Sequence, residues 1–240
     1  MSPQKAKPYL VCFMLWWPIF LQAAKTEAPL TDSYLKPYSA TYSTTWKKGI
    51  SIKVEGTQTL SHTADNQWLF SFQASTFFAS LNESVKFKID NGQIFPLVYE
   101  YHTSAFGKKR DATLTFDWQK NRVRNDIKNK PWHMDIKAGV LDKLSIQLQI
   151  RHDLKYNKAK LEYQIADGGK LKNWQFERLG NEVIKTQLGA IDTIKVKREG
   201  VGKKAKTTTF WFAPTHDFLL VKLVHKEKKE SYKLELDSIQ

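Results

Sequence analysis

Cysteine is almost missing. Cys12 is the only one in 240 residues, and it lies inside an apolar N-terminal run that reads as a leader. Tyr9, Leu10 and Val11 precede it, with none of the small residues expected before a lipidated cysteine. A chain shorn of that leader has no thiol. That excludes a disulfide framework, a thiolate metal site, a cysteine nucleophile and c-type haem attachment. Long apolar runs are also lacking. The longest, Tyr9 to Leu21, has thirteen residues and contains Pro18, whereas a spanning helix needs about twenty. Catalytic signatures are absent too: there is no GxSxG, SxxK, Walker loop, GxGxxG or HExxH. The six histidines show no i, i+4 pair of the kind that binds zinc on a helix. His152 and Asp153 adjoin, but neighbours on a helix point in different directions. Pairs of carboxylates occur by chance among 24 acids and carry no specificity. The sequence therefore predicts no metal and no cofactor.

What is present starts with an address. Lys5 and Lys7, the apolar run and Gln22-Ala23-Ala24 follow the layout of a secretory signal peptide. Cleavage is expected near Ala23 or Ala24, and the protein is expected in the periplasm with no transmembrane segment in its mature form. The formal charge is +14; losing Lys5 and Lys7 leaves 36 Lys and Arg against 24 acids, or +12. Nucleic acid is not the expected polyanion for an exported protein. Membrane head groups and acidic glycans are, and basic hairpin tips at Lys108-Lys109-Arg110, Lys203-Lys204 and Lys226-Lys228-Lys229 are placed to meet them. As solvated turns, those tips need no function at all.

From Pro37 onward, apolar residues recur with period two, as in Val85-Phe87-Ile89, Leu114-Phe116-Trp118 and Leu161-Tyr163-Ile165. Side chains on a strand alternate between faces, so each stretch has one apolar and one wet face. Asp65-Asn66, Asn91-Gly92, Gly168-Gly169 and Gly180-Asn181 punctuate these runs as hairpin turns. Ten to twelve antiparallel strands are expected. The segment Lys128–Lys137, with Pro131, reads as a loop. Gly200-Val201-Gly202-Lys203-Lys204 reads as a basic hairpin tip rather than a phosphate cradle.

Between Gly139 and Leu154 the pattern changes. Val140, Leu141, Leu144 and Leu148 form a helical stripe with Asp142 near its start. Leu144, Ile146, Leu148 and Ile150 also alternate as a strand would; the helix is the preferred reading. The predicted fold is mainly β: a curved antiparallel meander, or half-open barrel, with one central α-helix packed in or against its concave face. Residues 1–24 are assigned to the signal peptide, 25–36 to a flexible lead-in and 37–240 to a single domain. Six tryptophans remain after the leader: 46, 68, 118, 132, 174 and 211. They suit either a core or an aromatic-lined groove for acyl chains or sugars.

The run Val140-Leu141-Asp142-Lys143-Leu144-Ser145, continuing to Leu148 and Arg151, resembles the "D-x-L-S … L-x-x-R" helix of the DUF3108 family of exported bacterial proteins. Leu188-Gly189, Thr193 to Val196 and Trp211-Phe212-Ala213-Pro214 are similar to its C-terminal block. Leu220 stands where that family usually has proline. The resemblance implies a periplasmic protein with a curved antiparallel sheet. It implies no activity. By analogy of fold it points to periplasmic lipoprotein and lipid carriers, although fold alone does not determine function. Asp142, Ser145, Arg151 and Trp211 are the candidate ligand-binding or structural residues. A buried Arg151 would need a carboxylate or a ligand; as a salt bridge or exposed head it would tie helix to sheet. The expectation is a non-enzymatic binding or carrier protein for a lipid, a lipidated molecule or a glycan of the envelope. The alternatives are an adaptor docking an envelope protein and an envelope hydrolase.

Overall fold

The computed structural model describes residues 35–240 except 49, 64, 65, 128, 129, 201–205 and 229, with backbone alone at 46–48, 50–52 and 230. The leader, most of the lead-in and the tip around Lys203-Lys204 lie outside the described residues. Leu35, which the sequence places in the lead-in, is buried in the core.

The alternation resolves into fifteen strands, more than the ten to twelve expected. They are β1 (Tyr38–Lys48), β2 (Ile50–His62), β3 (Trp68–Ser75), β4 (Ala79–Asp90), β5 (Gln93–Ala105), β6 (Lys108–Asp117), β7 (Arg122–Ile127), β8 (Lys130–Asp135), β9 (Val140–Leu141), β10 (Leu161–Asp167), β11 (Lys170–Thr186), β12 (Gly189–Glu199), β13 (Thr207–Ala213), β14 (Leu219–Glu227) and β15 (Glu230–Ile239). One helix, α1 (Ser145–Lys155), separates β9 from β10, and a 3₁₀ turn at Pro214–His216 precedes β14.

All strands form one sheet in the order β8 to β1, then β15 to β9. The first and last strands pair at its middle, from Ala40↔Ile239 to Lys47↔Ser231. Every pair is antiparallel except β9 with β10, so the sheet is mixed. It is curved but does not close by strand pairing into a barrel.

Three local readings change. Val140 and Leu141 belong to a strand, not to the helix. Lys130–Asp135 is a strand rather than a loop; Pro131 is tolerated because β8 is an edge, where a missing N–H leaves no ladder bond unmade. Gly180-Asn181 is no turn. It lies within β11, where the register shifts between Arg178 and Gly180 as at a bulge.

The inward faces supply the core. Tyr42, Phe70, Phe87, Tyr99 and Phe212 are fully buried, and α1 contributes Leu148 and Ile150. Burying a side chain of this size contributes roughly 1.5–3 kcal/mol relative to exposure. Phe176, Phe210 and Phe212 form a chain of rings with neighbouring centroids 5.9 Å apart. Among the tryptophans whose side chains are described, Trp211 is buried in the core and the others are less central. Trp68, Trp118 and Trp174 pack at its margin, and Trp132 is exposed.

Candidate functional site

The helix begins on Asp142. Its Oδ1 accepts the main-chain N–H groups of Leu144 at 2.8 Å and Ser145 at 2.9 Å, while its own N–H donates to Ser145 Oγ at 3.2 Å. This reciprocal pair satisfies donors that a helix start otherwise leaves open. Asp142 is fully buried, and burial pushes its carboxyl above the usual range against those hydrogen bonds. Its Oδ2 has no partner.

Every residue of α1 from Ser145 to Leu154 except His152 is buried, polar ones included. Helical spacing sorts the polar residues into two stripes, Gln147/Arg151 and Gln149/Asp153. Gln147 exchanges amide bonds with Gln58 of β2 at 3.2 and 3.4 Å. Arg151 donates to the Asp217 carbonyl and to Tyr38 Oη, with its guanidinium over the Tyr38 ring. Among the described residues, no carboxylate pairs with Arg151; a carbonyl and a phenol take that place. Burial pushes the Tyr38 hydroxyl up to about 12, with Arg151 opposing. On the second stripe, Gln149 accepts the Ile94 N–H at 3.0 Å. Asp153 takes two donors on each oxygen: Gln149 and His152 on Oδ1, Lys158 and Tyr163 on Oδ2. Burial pushes this carboxyl up, but the donors outweigh it and hold it below the usual range. His152 and Asp153 do meet, at 3.1 Å, contrary to the expected divergence.

One cavity lies against α1 and another against Lys143, which precedes it. The first, of about 550 Å³, lies beside Gly92, Gln149, His152 and Asp153. Asp153, its buried charge, already holds four donors. The other, of about 510 Å³, lies where the two ends of the sheet approach. On β6 the lining residues of one parity grade from buried Leu114 through half-buried Ala112 to exposed Arg110 and Lys108, and Lys109 and Asp111 of the other parity join them at the exposed end. Opposite Leu114 and Ala112 on β5 stand Tyr99 and Tyr101. Ala166, Asp167 and Gly168 of the β10 end close the far side, and Lys143 sits 4.6 Å from the centre of the Tyr101 ring. Asn125 of β7 also lines this cavity. It is 1% exposed and its Nδ2 donates to nothing. Nearby, Tyr99 donates to Glu83, whose carboxyl burial pushes up while Lys143 draws it down.

A tryptophan bridges the seam beside this cavity. Trp132 of edge strand β8, directly across from Asn125, donates its indole N–H to the Gly169 carbonyl at 3.2 Å. Gly169 sits at φ +75°, and a Cβ there would lie 1.8 Å from the indole.

Asp142, Ser145 and Arg151 are thus gathered along α1, with Asp142 next to Lys143 at the seam cavity. Trp211 is elsewhere. It faces away from Phe210 and Phe212, roofed by Lys195 and Lys222, whose ammonium groups lie 5.3 and 5.4 Å from its ring. Asn125 and Trp132 were missed as site residues. Asn125 did leave a trace, as a polar residue in the inward parity of Val123-Asn125-Ile127. Among the described residues, no group of His, Cys, Asp and Glu is placed to hold a metal ion.

Residues 38–237 match the profile of a family described as "Protein of unknown function (DUF3108)". No curated protein matches the chain. Among solved structures, it is similar to a beta-barrel-like protein of domain of unknown function DUF1849 from Brucella abortus, at 8% identity and a TM-score of 0.59 over 86% of this chain and 98% of that one. The likeness establishes a shared fold. It is also similar to LprF from Mycobacterium bovis (12% identity, TM-score 0.32, 87% and 88% covered) and to the lipoprotein LppX from Mycobacterium tuberculosis (10%, 0.25, 82% and 85%). Those scores are too low to establish a common fold.

Proposed function

Because the chain belongs to the DUF3108 family, we propose for it a role that its geometry supports: a non-enzymatic carrier of the periplasm that takes an anionic amphiphile into the seam cavity. The observation that carries this reading is the buried, undonated amide of Asn125 in a cavity of about 510 Å³. A buried donor without an acceptor costs about 1–3 kcal/mol. A ligand carbonyl, carboxylate or phosphate oxygen would recover that cost. The gradation from Leu114 to Lys108 suits a molecule with an apolar tail inside and a negative head at the rim. The volume falls within the roughly 300–1,000 Å³ of small-molecule sites.

The test is solvent extraction and mass spectrometry of protein purified from its own cells. An anionic lipid near equimolar amount is expected, and Asn125→Leu should lose it while remaining folded. If the parent protein carries no amphiphile and takes up no fluorescent fatty acid, the reading fails. Export is checked separately: fractionation should place the protein in the periplasm with its N-terminus at Ala24 or Lys25.

A further inference from the structure

Two neighbouring hairpin tips expose phenylalanines. Phe77 is 105% exposed and Phe78 40% in the β3–β4 turn; Phe106 is 69% exposed in the β5–β6 turn. The tips are joined, since the Phe106 N–H donates to the Phe78 carbonyl at 3.1 Å and the two rings stack at 5.2 Å. Thr76 braces the first tip by accepting the Ala79 N–H at 3.0 Å.

The β5–β6 turn has an internal control. In the β4–β5 turn, Asn91 and Gly92 have φ of +47° and +73°; Phe106 and Gly107 have +49° and +77°. Both are two-residue turns with positive φ at each central position, where Asn-Gly is favoured. Phe106 occupies the slot that Asn91 fills without strain. A bulky side chain in the left-handed region is unfavourable, and this one gains little burial in return. Backbone strain that displays an apolar ring to solvent points to a partner for the ring.

Charge indicates which partner. Lys108, Lys109 and Arg110 follow the Phe106-Gly107 turn directly, and all three are exposed. Asp111, which follows them, is engaged by His102 at 2.8 Å, and Asp167, on the same cavity, is paired with Lys172. Exposed phenylalanine tips beside clustered cations match the interface of a bilayer carrying anionic lipid, where apolar rings bury at the head-group/acyl boundary and cations meet phosphates.

We propose that these tips are a membrane-docking surface, with Phe77, Phe78 and Phe106 inserting into an anionic bilayer and Lys108, Lys109 and Arg110 binding its head groups. Lys108 and Arg110 also rim the seam cavity, so docking would set the cavity mouth against the lipid. The inference does not depend on what the cavity holds: lipid extraction reads the cavity, and vesicle binding reads the tips.

The experiment is co-sedimentation of the purified protein with vesicles of phosphatidylcholine alone and of phosphatidylcholine mixed with phosphatidylglycerol. Binding to the mixed vesicles, weakened by salt, is expected. Phe77→Ser and Phe106→Ser should each lower the partition coefficient about tenfold. Lys108→Glu with Arg110→Glu should abolish the preference for phosphatidylglycerol. Phe106→Asn separates docking from folding: it should raise the thermal midpoint by a few degrees, by relieving the left-handed position, yet weaken vesicle binding. Absence of binding to mixed vesicles, or equal binding by the serine variants, would overturn the proposal and leave the tips to a protein partner.

Discussion

Arg151 Nη2 and Nε both donate to the main-chain carbonyl of Asp217, at 3.0 and 3.3 Å. The contact joins the helix to the turn before β14, across 66 residues of sequence. Asp217 and Phe218 are consecutive left-handed residues, at φ +50° and +56°, a conformation costing roughly 1–2 kcal/mol each for a residue with a Cβ. The guanidinium lies over the oxygen that this strained turn presents.

Removing the guanidinium deprives the Asp217 carbonyl of two donated bonds and leaves Tyr38 Oη with only its bond to Gln58. Arg151→Leu should destabilise the fold by about 3 kcal/mol, the upper range for hydrogen bonds to a charged group, measured by urea denaturation. Arg151→Lys should cost less, because an ammonium keeps the charge but not the fork. Asp217→Gly should be neutral or stabilising, since glycine tolerates the left-handed backbone and the Lys36–Asp217 pair it deletes is exposed.

Asp153 governs part of the acid sensitivity. Its folded carboxyl is held below its unfolded range, so on acidification the unfolded chain takes up the proton first. The stability it contributes is complete above about pH 4, the unfolded value, and is lost as pH falls through the folded one. Asp153→Asn should be less stable at neutral pH and show a flatter acid limb, read by denaturation between neutral and strongly acidic pH. Asp142 has the opposite sign, because its folded carboxyl is raised. Asp142→Asn should therefore remove a destabilising contribution that grows as pH rises through the folded value.

Gly169→Ala should open the seam. The added Cβ collides with the Trp132 ring, and φ +75° disfavours it as well. A loss of about 1–3 kcal/mol is expected, together with greater quenching of Trp132 by iodide. Comparison with Trp132→Phe isolates that indole among the other tryptophans.

Asn125→Leu should raise the stability of the ligand-free protein by about 1 kcal/mol, because it deletes a buried donor that nothing accepts. Calorimetry after delipidation is the measurement. A large loss instead would mean that the amide supports the fold.

The strands were legible because most have one wet face, and alternation such as Val85-Phe87-Ile89 survives only under that condition. Helix α1 was nearly disguised. Ile146, Leu148 and Ile150 alternate with Gln147, Gln149 and Arg151 as a strand would, since the helix is buried all round and has no solvent face to set a helical period. Val140-Leu141 was misread because two apolar residues abutting a helix carry no period of their own. The role of Asp142 at the helix start was half visible, as charge near an N-terminus; the reciprocal bond with Ser145 needed coordinates. Trp132, on edge strand β8, and Gly169, in the β10–β11 turn, are 37 residues apart, and no local pattern links them.

The ladder between β1 and β15 makes the chain's closing step a late one. Each half of the sheet is a run of neighbouring strands that can zip up from local contacts, but the midline waits for both extremities. Ser39 and Gln240 exchange main-chain bonds at 3.0 and 2.8 Å, so β1 finds its second neighbour only once β15, far along the sequence, is available to pair. Until then the flank of β1 is an open template for pairing with another polypeptide, and a chaperone that shields this edge would act at the most vulnerable moment of biogenesis.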